Sequence, residues 1–224
     1  MSYSDKKEIV KLVSYMATFD GGLYIRHTNA QFIMNMRKEN LDYVLWVKKV
    51  LSDVTGVSVK DRKDYNTDGC NRAPQVRLES RCHPFLTTIR NRIYIDNKKT
   101  IDPHMLKLMD AEALAIIFMA DGSSDAKHGI RLHTKGYGYH DNLALSKAIY
   151  DVLGLRSNVN RNNQYFELRF KSADNGKFVD TVKEYICPSF RYKLERLAPL
   201  VEGGDIVWPA WKHAEIIRNE LIIG

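Results

Sequence analysis

The stretch "EALAIIFMADGSSD", residues 112–125, sets the first problem. From Leu114 to Ala120 it has no polar face, so as a helix it is enclosed on every side. It then ends on Asp121 and Gly122. The glycine reads as a helix stop. The aspartate stands where the carbonyl end of a helix disfavours negative charge. A carboxylate so placed is costly unless it is paired or lies beside a cation. Taken alone, Asp121 is either an ordinary helix-end residue or a charge waiting for a metal.

A second apolar segment ending in Asp-Gly lies near the N-terminus: "VSYMATFDGG", with Asp20 and Gly21. The two segments introduce similar orders of elements. After Asp20, "GGLYIRHTN" and "AQFIMNMRKE" alternate like a half-buried hairpin. The helix "LDYVLWVKKVLSDV" comes next, with Leu41, Val44, Val47, Leu51 and Val54 at helical spacing. Two strands, "VSVKDRKD" and "PQVRLESR", and a helix from "HPFLTTIRNRI" complete the half. After Asp121 the order recurs: strand "GIRLHTK", helix "DNLALSKAIYDVLGL", strands "SNVNR" and "QYFELRFKS", helix "GKFVDTVKEYI". The first hairpin of this half is the weak element, since "GYGYHD" resembles a loop as much as a strand. Each half reads αββαββα, an α+β fold built by duplication, with halves at 1–105 and 106–224 and a terminal tail in the second. The end of that tail reads as a helix.

The 224 residues carry 34 Lys+Arg against 27 Asp+Glu, a net charge of +7, which suits a polyanion partner or serves only solubility. Cys70, Cys82 and Cys187 lack C-x-x-C spacing, which argues against a disulfide framework and a cysteine zinc site. No apolar run is long enough for a membrane span and the N-terminus lacks a signal-peptide core. A soluble, intracellular protein is expected; organelle, phage-infected cell and cytoplasm are not distinguished.

The strand alternation sorts residues by face. Phe166, Leu168 and Phe170 share one side of their strand, and Tyr165, Glu167, Arg169 and Lys171 the other. Val76 and Leu78 oppose Gln75, Arg77, Glu79 and Arg81. The other strands add Tyr24, Arg26 and Thr28, then Ser58, Lys60 and Arg62, then Arg131 and His133. Most antiparallel sheets have one wet face. These faces are rich in the donors that reach phosphates and base edges, and a β-surface of that kind fits a major groove.

With its two Asp-Gly-terminated helices, the chain resembles a single-chain LAGLIDADG homing endonuclease. "LAIIFMADG" (114–122) matches the family's nine-residue motif well, and "VSYMATFDG" (13–21) keeps mainly its Asp-Gly. "NKKTIDP" (97–103) and "CPSFRYKL" (187–194) are similar to the lysine-bearing stretches that close each half, and "HPFLTTI" (83–89) to a segment between strands and lysine. The resemblance covers residues 8–197. One departure is steric: the family often has a small residue before the aspartate, where Ala120 fits and Phe19 does not, and Tyr15 is also bulky. Wider helix spacing or a rotated first helix is expected.

The resemblance implies two motif helices at the interface, with Asp20 and Asp121 binding Mg²⁺ between the DNA strands. Mn²⁺ or Ca²⁺ could substitute in binding. It implies that Lys99 and Lys193 lie near the scissile phosphates, with Lys98 an alternative to Lys99. It also implies a saddle of antiparallel strands over double-stranded DNA, and a double-strand break at a long, asymmetric site by a monomer. Two rivals keep the fold: an intron RNA maturase and a DNA-binding regulator that does not cleave. His83 and His104 read as structural rather than as catalytic bases.

Overall fold

The computed structural model describes residues 6–62, 73–198, 205–216 and 218. Cys70, the end of "VSVKDRKD" and most of the tail's last part lie outside the described residues.

Helix α1 (Lys6–Phe19) leads to strands β1 (Gly22–Arg26) and β2 (Asn29–Arg37), helix α2 (Leu41–Ser52), strands β3 (Val57–Arg62) and β4 (Gln75–Ser80), and helix α3 (Pro84–Ile93). A short ribbon, β5 (Tyr94–Ile95) and β6 (Lys98–Lys99), and helix α4 (Pro103–Leu106) close the first half. The second repeats the order: α5 (Ala111–Asp121), β7 (Gly122–Asp125), β8 (Gly129–Leu132), α6 (Tyr139–Leu153), β9 (Ser157–Asn162), β10 (Tyr165–Phe170), α7 (Asn175–Val182) and α8 (Tyr192–Glu195). The sheets have matching antiparallel topologies, β1-β2-β4-β3 and β7-β8-β10-β9. The duplicated αββαββα reading is what the chain adopts.

One element differs from the sequence reading. The first strand of the second sheet is "GSSD", directly after the motif helix, and "GYGYHD" instead leads into α6. Ser123 and Ser124 have little intrinsic preference for a strand. They form one because Gly122 to Asp125 pair with Leu132 to Gly129. Ser124 is buried, its hydroxyl donating to the Lys193 carbonyl.

Helices α1 and α5 pack against each other, each with eight buried residues, inside one hydrophobic core that includes both halves. Asp110 starts α5, its side chain accepting from Ala113 N at 2.8 Å. The glycines after the motif aspartates answer close contact rather than a left-handed backbone. Gly122 has φ −85°, and a Cβ there would strike the Phe118 ring and carbonyl. A Cβ on Gly21 would strike the Phe32 ring. The bulky residues of α1 are taken up by neighbours: the Tyr15 hydroxyl donates to Met105 O (3.1 Å), and Phe19 lies 5.7 Å from the Tyr137 ring.

The tail crosses both halves. His213 is buried, 2.7 Å from Glu112 at the start of α5, and stacks on Trp46 of α2 at 4.9 Å. Trp211 donates to Tyr185 O and meets Trp46 edge-on. Residues 214–216 turn helical. Among the described residues, no helix is long and apolar enough to cross a membrane. Cys82 and Cys187 are free thiols.

Candidate active site and nucleic-acid interface

Asp20 continues the last turn of α1, its N–H donating to Met16 O at 3.0 Å, and Asp121 is the last residue of α5. Both are partly buried at the carbonyl ends of the two packed helices. Burial pushes the Asp20 carboxyl up to about 7. The Tyr43 hydroxyl, which donates to Asp20 Oδ2, opposes this, the Asp121 charge adds to it, and Lys193 and Lys99 pull it back. Burial likewise pushes Asp121 up to about 6 against the pull of both lysines. The two carboxylates lie within electrostatic reach of each other, at a place that favours either a proton or a cation.

The lysines occupy corresponding positions. Lys99 Nζ donates to the carbonyls of Thr18 (3.1 Å) and Gly21 (2.5 Å), around the end of α1. Lys193 Nζ donates to those of Phe118 (3.3 Å), Met119 (2.6 Å) and Ala120 (3.4 Å), at the end of α5. Thr18, Met119 and Ala120 are among the last carbonyls of their helices, while Gly21 lies just past α1 and Phe118 O also accepts from Gly122 N–H; each ammonium offsets the local dipole. Burial lowers both lysine pKa values and the two aspartates' charges raise them. Lys98 is exposed in the same ribbon. His83 caps α3, its Nδ1 accepting from Phe85 N, while the His104 N–H donates to the capping Asp102.

The donor set can be tested against a metal. Two carboxylates are hard oxygen ligands, and among the described residues no group of three or more His, Cys, Asp or Glu gathers. Mg²⁺ is commonly held by one or two carboxylates, completing its shell from water and phosphate oxygens. Asp20 and Asp121 fit that ion.

The remaining polar candidates lie on the sheets. In an antiparallel pair, directly opposed residues share a face. In the first sheet Arg77 stands between Asn35 and Lys60, Gln75 between Arg37 and Arg62, and Tyr24 faces Gln31 and Arg26 faces Asn29. Ser58 faces Glu79, and Arg81 comes just past β4, its N–H on Gly56 O. In the second sheet Arg169 stands between Arg131 and Asn158, and Tyr165 faces Asn162. His133 and Lys171 lie just past the ends of β8 and β10. The opposite faces carry Leu23, Phe32, Met34, Val76, Leu78, Ile130, Leu132 and Leu168, all buried. Several donors are engaged within the chain: Arg77 with Glu79 (2.7 Å), Arg131 with Asp125 (2.9 Å), Arg62 with Gln75 (3.1 Å), Arg169 with His128 O (3.1 Å), and His133 with Ser123 (2.6 Å).

Sequence reasoning misses Tyr43 at Asp20, and Gln31, Asn35, Arg37, Asn158 and Asn160 on the polar faces. The face residues are recoverable from alternation in "AQFIMNMR" and "SNVNRN". Tyr43 gives no signal, since it lies on the apolar stripe of α2.

A family model, the LAGLIDADG DNA endonuclease family, matches residues 20–178. The chain belongs to this family. Helix α5 lies within the matched residues, and α1 ends just before them. A probable intron-encoded DNA endonuclease of Mycosarcoma maydis is 32% identical over 101 residues, 44% of this chain and 74% of that protein. The protein RecA of Mycolicibacterium flavescens is 25% identical over 224 aligned positions, 92% of this chain; this chain spans about half of that protein's length (49%). The solved structure of the homing endonuclease I-WcaI bound to its DNA recognition sequence has the same fold. Its TM-score is 0.71 at 18% identity, covering 84% of this chain and 86% of that one. Site-specific cleavage of DNA is the function supported by the family; the maturase and the non-cleaving regulator are not favoured.

Proposed function

We propose that this LAGLIDADG protein makes a double-strand break at a long, asymmetric target, with Mg²⁺ held by Asp20 and Asp121. The observation that carries the reading is the repeated pair: each half brings one carboxylate and one partly buried lysine to the end of a packed motif helix. When bound, a divalent ion activates water and stabilises the leaving oxygen. Mn²⁺ or Ca²⁺ can replace it in binding.

Asp20 and Asp121 would hold divalent metal at the ends of the packed motif helices, one carboxylate from each half. Lys99 and Lys193, fixed by helix carbonyls, keep positive charge where negative charge gathers on the phosphate. The polar faces of the two sheets form a saddle over double-stranded DNA: Tyr24, Arg26, Ser58, Lys60, Arg62, Gln75, Arg77 and Arg81 from one half, Arg131, His133, Tyr165, Arg169 and Lys171 from the other. The halves, 1–105 and 106–224, differ in sequence, so the target is not a palindrome and a monomer suffices. The test is incubation with a DNA library and Mg²⁺, followed by sequencing of the ends. Paired ends at one asymmetric sequence support the reading. Tight binding to intron RNA with no cut DNA would turn it toward the maturase.

A further inference from the structure

Tyr43 has no part in the metal and lysine chemistry, yet it touches Asp20. It is fully buried on α2, and its hydroxyl donates to Asp20 Oδ2. Its ring is fixed by Trp46 (5.6 Å) and, edge-on, by Phe190 of the second half (5.5 Å). Phe190 in turn lies under Lys193 Nζ at 5.4 Å. The preceding residue, Asp42, accepts from Ser189 N (3.0 Å) and Ser189 Oγ (2.6 Å). The first turn of α2 therefore braces both Asp20 and the segment that carries Lys193.

Among the described residues the second half has no matching contact. Among the described residues no side chain donates to the Asp121 carboxylate. Tyr137 directs its hydroxyl to the Thr18 carbonyl instead, at 2.6 Å. The carbon–carboxylate torsion of an aspartate is broad. A rigid donor on one oxygen narrows that torsion. Asp20 has such a donor, and among the described residues Asp121 has none.

We propose that Tyr43 is a positioning residue for Asp20 that makes the two cutting centres unequal, so that one DNA strand depends on Tyr43 and the other does not. The inference rests on Asp20 and Asp121 holding the metal. Two phosphodiesters must be cut, and each half contributes one carboxylate and one lysine. Loss of the phenol affects the centre that Asp20 serves.

The test uses the full chain and a supercoiled plasmid carrying the duplex recovered by cleavage selection, with each strand monitored separately. Tyr43→Phe removes one oxygen and keeps the ring. It is expected to slow one strand by about tenfold and the other by less than about threefold, so that a circle nicked in one defined strand accumulates. On a duplex with uncleavable linkages, Mn²⁺ titration read by electron paramagnetic resonance should show one ion bound about tenfold more weakly. Duplex affinity without divalent ions should stay within about twofold of wild type. Leu145→Ala on α6, which removes buried packing and leaves the Tyr43 contacts alone, should lower the melting temperature and leave the strand ratio alone. Equal slowing of both strands, an unchanged ratio, unchanged Mn²⁺ binding or the same ratio shift in Leu145→Ala would overturn the proposal. Wild-type cutting that Asp20→Asn abolishes, with Tyr43→Phe unchanged in ratio, sinks this inference alone. Cutting of both strands by Asp20→Asn sinks the catalytic reading and takes the inference with it.

Discussion

Lys193 Nζ lies 2.6 Å from the carbonyl oxygen of Met119, at the end of the helix that carries Asp121. Lys99 makes the same kind of contact with Gly21 O, beside Asp20. Each lysine joins stability to chemistry: it answers orphan carbonyls and holds a cation beside a raised carboxylate. Lys99→Met and Lys193→Met are each expected to lower stability by about 1–2 kcal/mol. Each should also slow cleavage by roughly 100-fold. Melting curves and single-turnover rates on the same preparations check this. A full-rate variant that merely melts earlier would make the lysine structural only.

The raised carboxylates set a direction for metal-free stability. Between about pH 4 and 7 the folded protein keeps protons on Asp20 (about 7) and Asp121 (about 6) that the unfolded chain has released. Folded-state proton excess means that their contribution falls as pH rises through this window. Asp20→Asn should flatten that slope and stabilise the metal-free protein by roughly 1–3 kcal/mol at pH 8. Adding Mg²⁺ should raise the melting temperature of wild type and do so less for the variant. Melting at pH 5, 6, 7 and 8 with and without Mg²⁺ measures both. Identical slopes in wild type and variant would contradict the burial argument.

The Glu112–His213 contact works in the opposite sense. Burial would raise Glu112, but the His213 hydrogen bond and the Lys11 charge outweigh it and hold the carboxyl at about 2. The contribution is complete above the unfolded value of about 4.5 and is lost as pH falls toward about 2. His213→Ala is expected to cost about 1–3 kcal/mol at pH 7, because it leaves a buried carboxylate one partner short. The gap to wild type should shrink in acid. A gap that stays constant down to pH 2 would place the cost in the Trp46 stacking alone.

Much of the fold and of the candidate site is legible in the sequence because duplication and alternation are periodic signals. Asp20 and Asp121 stand out by their places in a repeat, Lys99 and Lys193 by the family resemblance of the stretches that carry them, and Arg77, Lys60 and Arg169 by their parity along strands. Strand β7 is not legible, since its pairing with β8 overrides weak local preference. Tyr43 is not legible either: a tyrosine on a buried helix face looks like core until its hydroxyl is seen at a carboxylate. The tail reaches Glu112 and Trp46 through contacts that no local pattern encodes.

The polar faces carry like charges side by side, Lys60 opposite Arg77 and Arg131 opposite Arg169, which disfavours the free protein and suits a polyanion. Replacing Arg77, Arg81 or Arg169 by Ala should relax base preference at one or two positions, at roughly 1–3 kcal/mol each where the contact is bidentate to guanine. Replacing Lys60 or Lys171 should weaken binding to every sequence and lower the salt slope by about one unit. Cleavage profiles on single-base variants of the target separate the two classes. If all three arginine variants keep the wild-type profile, these faces do not read bases.

The central claim is that Asp20 and Asp121 together form the metal-dependent cutting site. Single-turnover cleavage of the selected duplex by Asp20→Asn and Asp121→Asn, with binding measured on the same duplex, tests it most directly. The expected result is loss of double-strand cleavage in each variant with duplex affinity within about threefold of wild type. Cleavage of both strands at the wild-type rate by either variant would contradict the claim.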